Sequence, residues 1–431
     1  MGKRRNKKLE SYVLENITLE KFVNGGQALG YTAEGKPLFV WGGLAGERVD
    51  VLVTKSKKGI LEGVVEKVKV ASENRVEPEN EYEYLSTSPW QILRFDYENQ
   101  VKLDLLKQTF KHEAGIDLCE VTMFAGDKQY GYRNKMEYNF WGDEDGLHLA
   151  LHKRGSGQKI KLEGSVLASE TINKAGESIL STLNNLGVFA GDLKSLILRS
   201  SADGKCVGAL FVKKEDFSEL ELPEGLDGLV CYYSNPKSPA SVITKELWKK
   251  GEITLEDKIL DKNLKYDVNS FFQLNLPVFE EALRDIKKYL NDGKIVDFYG
   301  GTGSIGISLI NNKNELKIVE LDEHSAQMAK VNIKDLDNAK VFSLSAEESL
   351  EKIVSDSVLV VDPPRAGLHK KVVQSICEVK PKQLIYLSCS PVTQARDLKE
   401  IIEAGYKIKF ARGYNFFPKT PHIESLIILE K

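Results

Sequence analysis

The spacing of apolar and polar positions divides the chain into three stretches. Over residues 1–70 apolar and polar side chains alternate in short runs, the period of a strand with one buried face. Glycines at Gly25, Gly26, Gly30, Gly35, Gly42, Gly43 and Gly46 break the runs ahead of Val49-Asp50-Val51-Leu52-Val53. Short strands joined by glycine turns predict a small β-barrel of the OB type, a common platform for nucleic acid. Residues 71–92 are acidic and irregular, with Glu73, Glu77, Glu79, Glu81 and Glu83, and read as a connector. A helix is expected over 97–113, where Val101, Leu103, Leu105, Leu106 and Phe110 recur at helical spacing, and its stripe is available to pack on the C-terminal domain. Residues 120–262 mix strands with one clear helix over 170–186. The span 71–262 therefore reads as a central α+β module for RNA recognition.

Residues 263–431 have a different rhythm. Apolar strand candidates at 294–299, 316–319, 358–361 and 384–387 alternate with helical patterns, which predicts a Rossmann-like α/β domain with a parallel sheet and right-handed crossovers. Segments 406–410 and 423–429 suit a closing antiparallel pair.

Composition narrows the class. An apolar fraction of 42% and a charged fraction of 29% over 431 residues are those of a globular protein with a substantial core. No apolar run reaches the roughly 18 residues of a membrane span, and no apolar h-region follows the basic start (Lys3, Arg4, Arg5, Lys7, Lys8). A cytoplasmic monomer without membrane contact is expected. Cys119, Cys206, Cys231, Cys377 and Cys389 lie far apart, which indicates neither a disulfide framework nor a cysteine metal site. The net charge of −3 argues against a uniformly basic nucleic-acid binder. Within residues 1–70, however, thirteen Lys/Arg stand against eight Asp/Glu, a local +5. Lys55, Lys57 and Lys58 beside Gly59 form a candidate phosphate-binding loop. Tyr130-Gly131-Tyr132-Arg133-Asn134-Lys135-Met136-Glu137-Tyr138 interleaves aromatic and basic residues, so Arg133 and Lys135 are candidate RNA contacts. Taken alone, that pattern is better accounted for by an ordinary half-buried strand with Tyr as cross-strand filler.

Three motifs at strand ends carry candidate chemistry. Asp297-Phe298-Tyr299-Gly300-Gly301-Thr302-Gly303-Ser304-Ile305-Gly306 reads as strand, glycine turn and helix. At Gly301, Gly303 and Ser304 the backbone can approach a ligand and offer free N–H groups. Glu320 ends the next strand, where a carboxylate can hold the ribose hydroxyls of NAD or of S-adenosylmethionine alike. Asp362-Pro363-Pro364-Arg365 ends the fourth strand, in the place of the Asp-Pro-Pro-aromatic motif of methyltransferases acting on amino groups of bases. Arg365 in place of the aromatic points to attack from carbon. Cys389 ends the fifth strand, and Ser390 with Pro391 suits the N-cap and first turn of a helix. A helix N-terminus would lower the thiol pKa; a buried small hydrophobe is the alternative reading.

These motifs, with Ser388-Cys389-Ser390-Pro391-Val392-Thr393-Gln394-Ala395-Arg396-Asp397, Phe417-Pro418-Lys419-Thr420-Pro421-His422-Ile423-Glu424 and Ser270-Phe271-Phe272-Gln273-Leu274-Asn275, resemble the RNA uracil-5 methyltransferase family and follow its order. Residues 12–68 resemble the TRAM domain of members acting on 23S ribosomal RNA. The resemblance implies an S-adenosylmethionine-dependent enzyme forming C5-methyluridine, with Cys389 as nucleophile and Glu424 as general base. It places Gln273, Tyr299, Glu320 and Asp362 at the cofactor. It implies RNA as partner, 23S ribosomal RNA by preference and transfer RNA as the alternative. An NAD-dependent oxidoreductase and a non-catalytic RNA-binding protein are the readings from other classes.

One departure stands out. TRAM-bearing members commonly hold an iron–sulfur cluster on four cysteines, and here Leu85 and Ser88 occupy two of those positions, with no cysteine before Cys119. No cluster and no metal site is expected.

Overall fold

The computed structural model describes residues 12–154 and 158–431; the basic start at Lys3, Arg4, Arg5, Lys7 and Lys8 lies outside the described residues. The chain folds as two compact units. One holds the chain up to Leu105 with His152–Ile160 and Phe417–His422, the other Leu106–Leu151, Lys161–Phe416 and Ile423–Lys431.

In the first unit, strands Tyr12–Phe22, Ala28–Tyr31, Pro37–Trp41, Arg48–Lys57 and Ile60–Val70 close into a barrel. Alternation is the cause: Leu19, Leu38, Val40, Val49, Val51 and Val53 are fully buried inside it. Lys58 (φ 52°) and Gly59 (φ 82°) form the two-residue turn between its last two strands, both in the left-handed region that such hairpins need. Residues 71–92, expected as a connector, are instead packed. Arg75 pairs with buried Glu47 at 2.6 Å and donates to the Gly42 carbonyl. Trp90 is 1% exposed and donates from Nε1 to the Gly26 carbonyl. The acidic composition hid this, because the anchors are single residues with no period. Helix Phe95–Ala114 covers the predicted 97–113. Near its start, buried Glu98 accepts from Lys102 Nζ at 2.9 Å and from the Lys419 main-chain N–H at 3.0 Å, which fixes the Phe417–His422 segment within this unit.

The second unit holds two large sheets. The central one orders Lys245–Gly251, Gly228–Tyr233, Cys206–Val212, Leu193–Ser200, Lys135–Asp143, Gly146–His152 and Lys159–Leu162. Helix Glu170–Asn185, capped by Ser169, buries Ile172, Ile179 and Leu183.

The C-terminal sheet runs Ala339–Phe342, Leu316–Val319, Lys294–Phe298, Ser357–Val361, Gln383–Ser388, Glu424–Glu430, Lys407–Asn415 and Thr122–Ala125. Its first five strands are parallel, and Glu424–Glu430 inserts antiparallel beside Gln383–Ser388. All four strands read from the sequence are present, and the tail pairs as predicted. Two strands escape a sequence reading. Ala339–Phe342 is too short to show a period, and Thr122–Ala125 joins the sheet from residues otherwise grouped with the central module. No helix among the described residues is long and apolar enough to cross a membrane.

Candidate active site

The sheet reverses direction of build between Lys294–Phe298 and Ser357–Val361, and ligands of open α/β sheets bind outside the carboxyl ends at such a point. The candidate residues follow strand ends there. Tyr299 and Gly301 come after one strand, Glu320 after a second, Asp362 after a third and Cys389 after a fourth. Glu424 opens the antiparallel strand beside Cys389.

The glycine loop is shaped by necessity. Tyr299, Gly301 and Gly303 all have positive φ (61°, 56° and 85°). At Gly303 a Cβ would stand 2.5 Å from Ile307 Cδ1, whereas at Gly301 the nearest atom would be Phe271 Cδ1 at 3.4 Å. Gly303 is thus required by the fold, whereas a methyl group at Gly301 would meet Phe271 only at ordinary van der Waals distance. Glu320 Oε2 accepts from the Gly301 N–H at 2.8 Å, and its Oε1 accepts from Asp322 N–H at 2.7 Å. Ser304 is buried at the first position of helix Ser304–Leu309. Behind the loop, buried Asp297 accepts from the Gly306 N–H through Oδ2, and its Oδ1 has no partner. Burial first, then Asp362 and Glu320, pushes Asp297 up to about 7. The Tyr299 hydroxyl is engaged with the His369 backbone.

Gln273 Nε2 donates to Asp362 Oδ2 at 3.2 Å across 89 residues of sequence. Asp362, Glu424 and Arg365 act electrostatically on one another and on Cys389. Burial raises both Asp362 and Glu424, because a low-dielectric site disfavours the charged form, and the Asp362 carboxylate adds to the rise at Glu424. The thiol corrects the sequence expectation. Ser390 is the N-cap and Pro391 opens helix Pro391–Glu403, as predicted, yet Cys389 is pushed up to about 11 rather than lowered. Burial is the main cause, Glu424 and Asp362 add to it, and Arg365 opposes them.

Sequence reasoning missed what holds the Asp362–Leu368 loop. Asp397, two turns beyond Cys389 in its helix, is 3% exposed and accepts from Leu368 N–H and Tyr386 Oη, each at 2.8 Å. Thr393 Oγ1 donates to the Arg365 carbonyl and Arg396 to the Ala366 carbonyl. The available signal was a polar residue, Asp397, at the buried phase that Ala395, Leu398 and Ile401 mark on that helix.

The RNA candidates fall in two places, the barrel and the central sheet. Lys55 pairs with Glu62 at 2.9 Å at the barrel hairpin, and Lys57 and Lys58 are exposed there. Arg133 and Lys135 are half-buried at the start of a central strand, and burial lowers Lys135 to about 8. No group of His, Cys, Asp and Glu fit to hold a metal occurs among the described residues. The cluster positions do not fit an iron–sulfur centre: buried Ser88 accepts from Gln91 Nε2 at 2.6 Å, and Gln91 Oε1 accepts from Glu79 N–H.

A parallel sheet with a glycine loop after one strand, Glu320 after its neighbour and Cys389 after another is the architecture of a Rossmann-like nucleotide-cofactor domain. Residues 240–431 match the family model of the tRNA (uracil-5-)-methyltransferases, and residues 15–65 match the TRAM domain. An uncharacterized RNA methyltransferase of Caldanaerobacter subterraneus is 30% identical over 96% of this chain and 98% of its own length. One of Bacillus cereus is 27% identical over 99% of both chains. The crystal structure of the Pyrococcus abyssi tRNA (uracil-54, C5)-methyltransferase, in complex with S-adenosyl-L-homocysteine, superposes with a TM-score of 0.73 at 22% identity, over 96% of this chain and 99% of that one. The chain belongs to the RNA uracil-5 methyltransferase family. It is an S-adenosylmethionine-dependent enzyme with an RNA substrate. The donor set fits that cofactor: the unpartnered Asp297 oxygen and the carboxylates of Glu320 and Asp362 suit its hydroxyl, ammonium and sulfonium groups.

Proposed function

We propose that the enzyme methylates C5 of a uridine in 23S ribosomal RNA, with Cys389 as nucleophile and Glu424 as general base. The observation that carries the reading is the meeting of a cysteine, a glutamate and Asp362 beside the cofactor loop. Uracil C5 is too weak a nucleophile to take a methyl group from a sulfonium. Addition of the Cys389 thiolate to C6 moves an electron pair toward O4 and makes C5 enolate-like. S-adenosylmethionine supplies the methyl group that C5 then takes. Glu424 removes the C5 proton, the C5–C6 double bond re-forms, and Cys389 leaves as thiolate. The uracil must be unpaired or turned out of its helix to meet Cys389. In this reading Gln273, Tyr299, Gly301, Gly303, Ser304 and Glu320 hold the cofactor with Asp362.

The barrel supports a large structured RNA as substrate. Transfer RNA is the second reading, favoured by the description of the matching family model. Incubation with total RNA and methyl-labelled S-adenosylmethionine, with RNA sizes resolved, decides between them. Label in the 23S band is expected. Label confined to transfer RNA would replace the substrate and keep the chemistry, and no label in any RNA would overturn the reading.

A further inference from the structure

Arg199 is 1% exposed, at the end of the central strand Leu193–Ser200. Its guanidinium bonds main-chain carbonyls: Nη1 donates to Asp267 at 3.1 Å and Ser270 at 2.8 Å, and Nη2 donates to Phe272 at 3.4 Å. Its Nε is buried without a partner. Tyr266, Asp267 and Asp257 favour its charge, yet its guanidinium hydrogen bonds go to carbonyls, and an apolar residue would pack there at less expense. All three carbonyls belong to the segment that carries Phe271 and Gln273. The same segment is held elsewhere. Asn134 Nδ2 donates to the Gln273 carbonyl at 2.9 Å, the Ser325 hydroxyl accepts from Phe271 N–H, and the Tyr266 ring stacks on Phe272 at 3.9 Å. The loop is thus bonded on both sides of the residue whose side chain reaches Asp362.

We propose that Arg199 is a positioning residue of the central module that sets Gln273 against Asp362 and so prepares the cofactor pocket before cofactor binds. The proposal rests on the reading that Gln273 binds cofactor. Without the three hydrogen bonds, the Asp267–Phe272 carbonyls turn to water and Gln273 samples several positions. Part of the cofactor's binding free energy then goes into ordering the loop.

The test is calorimetric binding of S-adenosylhomocysteine, well below the melting temperature, to the wild type, Arg199→Met, Arg199→Lys, Gln273→Ala and the Arg199→Met/Gln273→Ala double variant. Expected is a loss of about tenfold or more for Arg199→Met, a smaller loss for Arg199→Lys, whose ammonium still donates to carbonyls, and a double variant no weaker than the weaker single. If Gln273→Ala weakens binding and folded Arg199→Met binds as wild type, the proposal is overturned. Additive losses also overturn it. If Gln273→Ala leaves affinity intact, the assignment of Gln273 to the cofactor falls, and the route through it falls too. Asn134→Ala, which frees the same loop at the Gln273 carbonyl, serves if Arg199→Met does not fold: it should weaken binding in the same sense, and unchanged affinity would count against the proposal.

Discussion

Cys389 directly follows Ser388 and Glu424 directly precedes Ser425, and those two serines stand opposite each other at the end of an antiparallel strand pair. Two residues 35 positions apart are thereby brought to the same end of one strand pair, where Glu424 acts electrostatically on the Cys389 thiol. On the proposed assignment, Cys389→Ala abolishes turnover and leaves S-adenosylhomocysteine affinity unchanged. Glu424→Gln slows turnover by about 10²–10⁴ and accumulates methylated RNA joined to the protein, visible as a shifted band on a denaturing gel. Normal turnover by the Glu424→Gln protein would remove Glu424 from the role of base.

The thiol should be unreactive in the free enzyme. With a pKa near 11, only about one molecule in a thousand carries the thiolate at pH 8. Because the raised pKa keeps the proton on as pH rises, alkylation of Cys389, followed by peptide mass spectrometry, should climb about tenfold per unit from pH 8 toward 11. A plateau below pH 9 would contradict this environment.

Gly301 and Gly303 should fail in different ways when given a methyl group. Gly303→Ala drives a Cβ to 2.5 Å from Ile307 and lowers the melting temperature markedly. Gly301→Ala bears the left-handed backbone penalty of about 1 kcal/mol, and its methyl meets Phe271 only at ordinary van der Waals distance. Its main effect is expected on cofactor affinity. Thermal melts with calorimetry separate the two, and equal losses of stability would refute the distinction.

Asp397→Asn keeps the size of the side chain but weakens its bonds to Leu368 N–H, Tyr386 Oη and Arg396. A loss of about 1–3 kcal/mol in unfolding free energy is expected. Activity should fall further than the unfolded fraction explains, because the same contacts shape the Arg365 loop. Denaturant titration beside kcat/KM at low temperature checks both, and activity tracking the folded fraction alone would contradict the second.

Lys135 titrates near neutrality, since burial lowers it to about 8. If it contacts RNA, raising the pH through 8 removes its charge and weakens binding. Filter binding at pH 7 and pH 9 should show this loss, and Lys135→Arg, which stays charged, should abolish it. Equal pH dependence in wild type and variant would exclude Lys135 from the interface.

Much of this protein was legible in its sequence because local chemistry repeats. Alternation and glycine turns announced the barrel, since a period of two can bury only one face of a strand. Apolar runs ending in Asp297, Asp362 and Cys389 announced a parallel sheet with its chemistry at the carboxyl ends, and Ser390-Pro391 marked the helix start where it is found. Other features depend on distance in space. The Thr122–Ala125 strand, the Asp397 clamp and the Arg199 hold on Asp267–Phe272 join residues far apart in the chain and leave no period to read. The Cys389 thiol shows the division most clearly. Sequence placed it at a helix N-terminus, where the local field favours a thiolate. Only the tertiary structure buried it beside Glu424 and Asp362, and in a low dielectric burial and like charge outweigh the end of one helix.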